Sequence, residues 1–273
     1  MNLDNMRRYG VEVEYVSTRS RADMCRVINS EVEGINISES YYSDKSNTWR
    51  IKPDCSVRAD GMYNYGHELV TPILSGEADM ITLKKVIEII ERDSRVNRST
   101  GVHVHVDITG AEKLPLKKLM KFFAKYEKAI GKLLPESRRE CNNSYCHDSF
   151  GRTENLLEVF NRMNTFNKDS LLRRSNFSGR GKWNFQNYSR HGSVENRAHS
   201  GTLNTAKIEN WVRLTQGMVA MAFDFRGATV HEGDTNYTYG TEHMLNALRA
   251  KKVISLATKK FYVRRYKELN DAA

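Results

Sequence analysis

The chain has 273 residues, enough for a full core in one large domain or two small ones. Its 39% hydrophobic and 10% aromatic content excludes a disordered chain, and no apolar run is long enough to span a bilayer or form a signal-peptide core, so a folded cytoplasmic protein is expected. The 43 Lys and Arg against 33 Asp and Glu leave a net charge of +10, which attracts nucleic acid, nucleotides or other anionic partners without choosing among them.

In chain order, Tyr9–Ser17 predicts a strand. Ser20 then caps a helix over Arg21–Glu33, with Asp23 completing a short capping box and Gly34 stopping it. Thr48–Lys52 alternates as a strand that ends at Pro53, with Asp54 and Ser56 in the turn beyond. Arg58–Gly66 is polar and hairpin-like, and Glu68–Thr71 is the next strand. Leu83, Val86, Ile87 and Ile90 place an amphipathic helix over Ala78–Asp93. Ser99–Asp107 is a strand, and Leu116–Leu134 is a long helix with lysines on its solvated face. Glu136–His147 is a polar loop, and Glu154–Met163 a helix. Asn164–Arg190 is rich in Asn, Ser, Gly and Arg and reads mostly as loop. Within it Gly179–Lys182 lacks the spacing of a P-loop and suits a mobile basic lid. Ser193–His199 is a strand and Thr205–Phe225 a long helix, followed by a helical, basic segment that breaks near Ala250–Lys252. No Pro/Gly linker divides the chain. A domain over residues 1–225 with a helical extension over 226–273 packed on it is the expectation.

Period-two alternation gives several strands two unlike faces. Val102, Val104 and Val106 face one way, and His103, His105 and Asp107 the other. Glu12 and Glu14 oppose Val11 and Val13, Glu195 shares a face with Arg197, and Glu68 stands in an apolar setting. Carboxylates among valines and leucines are costly to bury unless paired or coordinated. Alone, the histidine strand could be a solvated face, and the glutamates could pair with surface lysines. Together they suggest one sheet face carrying acids, imidazoles and an arginine, a metal–phosphate constellation. The cysteines at 25, 55, 141 and 146 form no Cys-x-x-Cys pair. Although Cys141, Cys146 and His147 lie close in sequence, free thiols are expected.

These motifs come in an order that resembles the amidoligase family of the glutamine-synthetase-like carboxylate–amine ligase superfamily. They are Gly10-Val-Glu-Val-Glu, Trp49 to Pro53-Asp-Cys-Ser56, His67-Glu-Leu-Val-Thr-Pro72, Ser99-Thr-Gly-Val-His-Val-His105 and Val194-Glu-Asn-Arg-Ala-His-Ser-Gly-Thr-Leu203, within Arg8–Trp211. The resemblance implies an α+β fold, with a curved, mostly antiparallel sheet, helices on its outer face and a helical C-terminal extension. It implies an ATP-dependent ligase that phosphorylates a carboxylate and lets an amine attack the acyl phosphate, with two Mg²⁺ or Mn²⁺ ions. It assigns Glu14 and Glu68 to one metal and Glu12, His103 and Glu195 to the other, with Glu14, Glu195 and Arg197 catalytic. His105 and Arg197 would face ATP phosphates, with Lys182, Asn184 and Asn187 on the nucleotide side and Asp54 and Ser56 on the substrate side. The family commonly has an aromatic between its acid and arginine, where this chain has Asn196. On a strand Asn196 points to the opposite face, so the site chemistry survives.

Two other classes fit parts of the sequence. A metal-dependent hydrolase or nuclease also uses His-x-His with carboxylates, and ATP turnover with amide formation separates it from a ligase. A non-catalytic, basic nucleic-acid-binding protein would suit the charge, but the tyrosines at 41, 42, 63 and 65 make no RNA-recognition signature. The carboxylate and amine remain open among a free amino acid, a peptide, a protein and a modified nucleic acid.

Overall fold

The computed structural model describes residues 3–41, 47–139, 146–150, 155–174, 179–224 and 228–271. The chain divides into two compact units, an N-terminal one of Asn2–His105 with His199–Val212, and a C-terminal one of Val106–Ala198 with Arg213–Ala273. The boundary expected between 225 and 226 lies outside the described residues.

The N-terminal unit holds β1 (Tyr9–Ser17), α1 (Arg21–Glu31), β2 (Ile37–Glu39), β3 (Trp49–Pro53), β4 (Tyr65–Val70), α2 (Gly76–Glu91), β5 (Ser94–Arg95) and most of β6 (Gly101–Asp107). Its strands run in the order β2-β3-β4-β1-β6, with β5 paired to β1. β1 is antiparallel to β4 and β5, and β3 to β4, while β2 joins β3 in parallel. The register sets Glu14 opposite Glu68, and Glu68 opposite Lys52. The alternate residues Val11, Val13, Tyr15, Ile51, Leu69, Val102 and Val104 are buried, as are Met24 and Ile28 of α1 and Leu83, Val86, Ile87 and Ile90 of α2. Thus the β-branched side of the strands makes the core and leaves the opposite side for the carboxylates. Ser20 caps α1 as expected: its hydroxyl accepts the Asp23 N–H at 3.1 Å and donates to the Asp23 carboxylate at 2.7 Å. α2 starts at Gly76 rather than Ala78, because the Asp4 carboxylate accepts the Glu77 N–H at 2.9 Å. That cap comes from a distant residue and leaves no local mark in the sequence.

The C-terminal unit contains the end of β6, α3 (Lys113–Gly131), a 3₁₀ turn (Glu136–Arg138), α4 (Leu156–Thr165), α5 (Lys168–Arg174), β7 (Trp183–Asn184) and α6 (Tyr188–His191). It also contains most of β8 (Ser193–Ser200), the second part of α7 (Thr205–Asp224), α8 (Thr241–Ala250) and α9 (Leu256–Asn270). β7 pairs antiparallel with β8, setting Asn184 opposite Glu195 and Trp183 opposite Asn196. α3 starts earlier than the apolar stripe predicted. Pro115 fits its first turn, where a backbone N–H has no intrahelical partner. The stripe Leu116, Leu119, Met120, Phe123 and Ile130 is buried, and Phe123 stacks on the buried Trp183. Two C-terminal helices occur where expected. The chain turns between them at Lys252, a non-glycine residue with φ of 57°. Thr241 Oγ1 donates to Ala129 O at 2.9 Å and Arg139 Nη2 to Leu269 O at 2.6 Å, tying α8 and the end of α9 to α3 and the turn after it.

The fold is therefore α+β, with mostly antiparallel strands and C-terminal helices, as the resemblance implied. The segment over 164–190 is more regular than expected, since α5, β7 and most of α6 fall within it. β2 and β5 were not foreseen. Strands of two or three residues carry no readable alternation, and only their pairing defines them.

Candidate active site

In the N-terminal unit the carboxylates and imidazoles converge. Glu14 is buried; its Oε2 accepts the Gly101 N–H at 2.6 Å and its Oε1 lies 3.6 Å from His103 Nε2. Glu12 takes the other side of the imidazoles, with Oε2 3.1 Å from His103 Nδ1 and Oε1 3.3 Å from His105 Nε2. Asp54 Oδ1 accepts both the N–H and the hydroxyl of Ser56 at 2.7 Å, so the turn after β3 fixes its carboxylate. One ligand atom each from Glu12, Glu68 and His103 lie within 4.8 Å of one another, and so do atoms from Glu14, Asp54 and Glu68. Glu68 belongs to both groups.

The charges in this cluster do not balance. Burial pushes the Glu68 carboxyl well above its ordinary value, and the charges of Glu12, Glu14 and Asp54 push it further, against a smaller pull from Lys52. Burial would also raise Glu12, but the charge of His105 and hydrogen bonds with His103 and His105 outweigh it and hold Glu12 well below the carboxylate range. A divalent cation relieves this kind of crowding. Oxygen donors with a single imidazole suit Mg²⁺ or Mn²⁺ better than a softer ion, so the donor set fits the metals the resemblance implies.

In the C-terminal unit Glu195 is almost wholly buried on β8, and its carboxylate is surrounded by donors. Arg197 Nη1 reaches Oε1 at 2.6 Å, while Asn184 Nδ2 and Asn187 Nδ2 reach Oε2 at 2.8 and 2.6 Å. The Arg197 side chain remains partly exposed. Asn196 points the other way, as the strand period requires, and is fully buried. Its Nδ2 donates to Thr215 Oγ1 at 3.0 Å and its Oδ1 accepts the Ala198 N–H at 3.2 Å. A local polar partner therefore accommodates the residue that stands in place of the family's aromatic.

Lys182 turns its ammonium into the protein interior. Its side chain is wholly buried, with Nζ bonded to the Asp148 carboxylate and, at 2.9 Å, to Arg139 O. Lys128 of α3 bonds to the same Asp148. Nothing in the sequence marked Asp148, Lys128 or the neighbouring buried Glu127, because their common ground is spatial. His67 and His199 are buried, His67 with Nε2 2.9 Å from Arg19 O and His199 with Nδ1 2.6 Å from Ser200 O, so both are held by backbone carbonyls. Cys25, Cys55 and Cys146 are free thiols, and burial raises the thiols of Cys25 and Cys146. Cys141 lies outside the described residues. Among the described residues no helix is long and apolar enough to cross a membrane.

No curated protein matches the chain by sequence. Among solved structures, a bifunctional glutathione synthetase from Pasteurella multocida is similar with 12% identity and a TM-score of 0.41, over 98% of this chain and 47% of that one. The chain thus spans about half the length of that protein. A family model described as "Putative amidoligase enzyme" matches residues 5–219. That match takes in β1, β3, β4, β6 and β8, the strands bearing the acids, imidazoles and arginine, and by it the chain belongs to the amidoligase family.

Proposed function

We propose that the protein is an ATP-dependent carboxylate–amine ligase that forms an amide or isopeptide bond. The carboxylate of one substrate attacks the γ-phosphorus of ATP, giving an acyl phosphate and ADP. The amine of the second substrate then attacks the acyl carbon, loses a proton and expels phosphate. The observation that carries this reading is the set of facing carboxylates in the N-terminal unit, Glu14 opposite Glu68 with Glu12, Asp54 and His103 around them, in a member of the amidoligase family.

In this reading Glu12, Glu68 and His103 hold one divalent ion and Glu14, Asp54 and Glu68 another. Such ions supply charge neutralisation for a triphosphate. Glu14, anchored by the Gly101 N–H, keeps its carboxylate in one orientation. His105 serves the phosphates, and Ser56 holds the Asp54 carboxylate in place. Arg197, braced by Glu195, offers a guanidinium fork to phosphoryl oxygens, where negative charge gathers during transfer. Asn187 and Asn184 hold Glu195 in turn. The substrates are a carboxylic acid and an amine, and an anionic partner suits the +10 charge.

The test is an ADP-release screen across carboxylate–amine pairs with Mg²⁺, beside calorimetry of ATP binding with metal and with excess chelator. ATP binding should require Mg²⁺ or Mn²⁺, and Glu14→Gln should abolish turnover in a folded protein. Arg197→Lys should lower kcat roughly 10²-fold or more, with little change in Tm, since the charge stays but the fork is lost. ATP binding that persists equally in chelator would overturn the metal assignment. Near-normal turnover in Arg197→Ala with a large loss of Tm would reduce Arg197 to a structural partner of Glu195.

A further inference from the structure

Burying an ammonium is costly unless it is paired, and Lys182 is buried completely. Its pairing ties three parts of the C-terminal unit together. Asp148 takes Lys182 from just before β7 and Lys128 from α3. One residue before Lys128, Glu127 accepts the Ser149 and Phe150 N–H groups at 2.5 and 2.9 Å, so the loop over 146–150 is pinned to α3 beside Asp148. The same loop bonds to the chain leading into β7, with His147 N donating to Arg180 O at 3.1 Å and Lys182 N to His147 O at 3.0 Å. On its other side, Lys182 O accepts the Arg197 N–H at 2.8 Å. α3 leaves room for this arrangement. A Cβ at Gly131 would stand 3.3 Å from Arg139 O and 3.6 Å from Lys182 Nζ.

β7 is a two-residue strand, too short to hold its own position by pairing alone. Yet Asn184 ends it and Asn187 follows closely, and both amides converge on one oxygen of Glu195. We infer that Lys182 is a positioning residue, whose ammonium, gripped by Asp148, sets β7 so that Asn184 and Asn187 hold the Glu195 carboxylate in the orientation that braces Arg197. The geometry stands by itself; its consequence for nucleotide binding rests on the proposed ligase reading.

The experiment uses the full chain labelled with ¹⁵N. The side-chain amide signals of Asn184 and Asn187 are assigned by Asn184→Ala and Asn187→Ala, and affinity for ATP with Mn²⁺ is measured on the same samples. In Lys182→Met both amide signals should move toward the positions of solvent-exposed amides while the backbone spectrum outside β7 and the loop over 146–150 is kept. Affinity should fall by about 10–100-fold, as for lost supports of a binding group. Asp148→Asn, which keeps the volume and removes the charge that grips the ammonium, should shift the same signals in the same direction. Unmoved amides in a folded Lys182→Met would overturn the inference and leave a core ion pair with no reach to Glu195. Should Lys182→Met fail to fold, unmoved amides in a folded Asp148→Asn would overturn it equally. If wild-type protein does not bind ATP with Mn²⁺ but its amide signals still depend on Lys182, the ligase reading fails and the positioning role stands.

Discussion

Glu68, half-buried, and Glu127, fully buried, are both carboxyls whose pKa is raised, but they differ in what surrounds them. Glu68 is crowded by Glu12, Glu14 and Asp54, so its neighbours supply repulsion that a cation can remove. In chelator, Glu68→Gln should leave Tm equal or higher, because one member of a repelling set becomes neutral. With Mn²⁺ at 100 times its Kd the wild type should gain about 2.7 kcal/mol, seen as a Tm rise of several degrees, and Glu68→Gln should lose most of that gain. A variant that keeps the full gain would remove Glu68 from the metal groups. Glu127 is raised from 4.5 to about 7, chiefly by burial and then by the Asp148 charge, although Lys182 and two backbone N–H groups favour its ionised form. Between these values the folded protein keeps a proton that the unfolded chain has lost. The stability from this group is therefore present in full below pH 4.5 and disappears as pH rises through about 7. Relative to Glu127→Gln, the wild type should lose roughly 3 kcal/mol over that window, a difference in slope that denaturant melts at several pH values would show. Parallel slopes would mean that Glu127 is ionised when buried. Glu12 carries the opposite sign: its depressed pKa contributes stability above 4.5 that is lost as pH falls through the folded value.

Among the elements, α7 shows where packing overrides propensity. Gly217 lies within this long helix, where alanine would normally be better by about 1 kcal/mol. A Cβ there would stand 2.6 Å from Ile254 Cγ2 and 2.7 Å from Val253 O, the buried segment between α8 and α9. Gly217→Ala should therefore destabilise, by about 1–3 kcal/mol of overpacking, and lower Tm. A raised Tm would show that this segment yields freely. Gly66 makes a similar close approach in β4, where a Cβ would meet Val57 O at 2.7 Å, so the strand beside Glu68 needs a residue without a side chain. Neither glycine stands at a positive φ, and a sequence reading finds no turn or cap to explain them.

The charge of the whole molecule bears on partners more than on fold. A net charge of +10 favours binding to any polyanion. If that is all it does, binding to mixed-sequence DNA, followed by fluorescence anisotropy, should fall by about 10³-fold or more between 50 and 200 mM salt for a footprint of 6–10 phosphates. Binding that survives that change would point to a built nucleic-acid site and favour a modified nucleic acid as the amine or carboxylate source.

Much of this protein was legible in the order of its residues. Alternation at period two already put Glu12 with Glu14, His103 with His105 and Glu195 with Arg197, because successive residues of a strand must face opposite ways whatever lies beside it. It also sent Asn196 to the core, and Ser20 announced its helix through a cap that needs only its neighbours. Tertiary structure decided what depends on residues far apart in the chain. Only the register of β1 with β4 made Glu14 and Glu68 face one another, and only the fold brought Asp54 into reach of both. Lys182 reads in sequence as a cation next to a glycine-rich stretch. Its actual partner, Asp148, is fixed by the meeting of α3, a loop and β7. Local periodicity sets the face on which a side chain stands, whereas the partner it finds there depends on strand order and register, which no short stretch of sequence encodes.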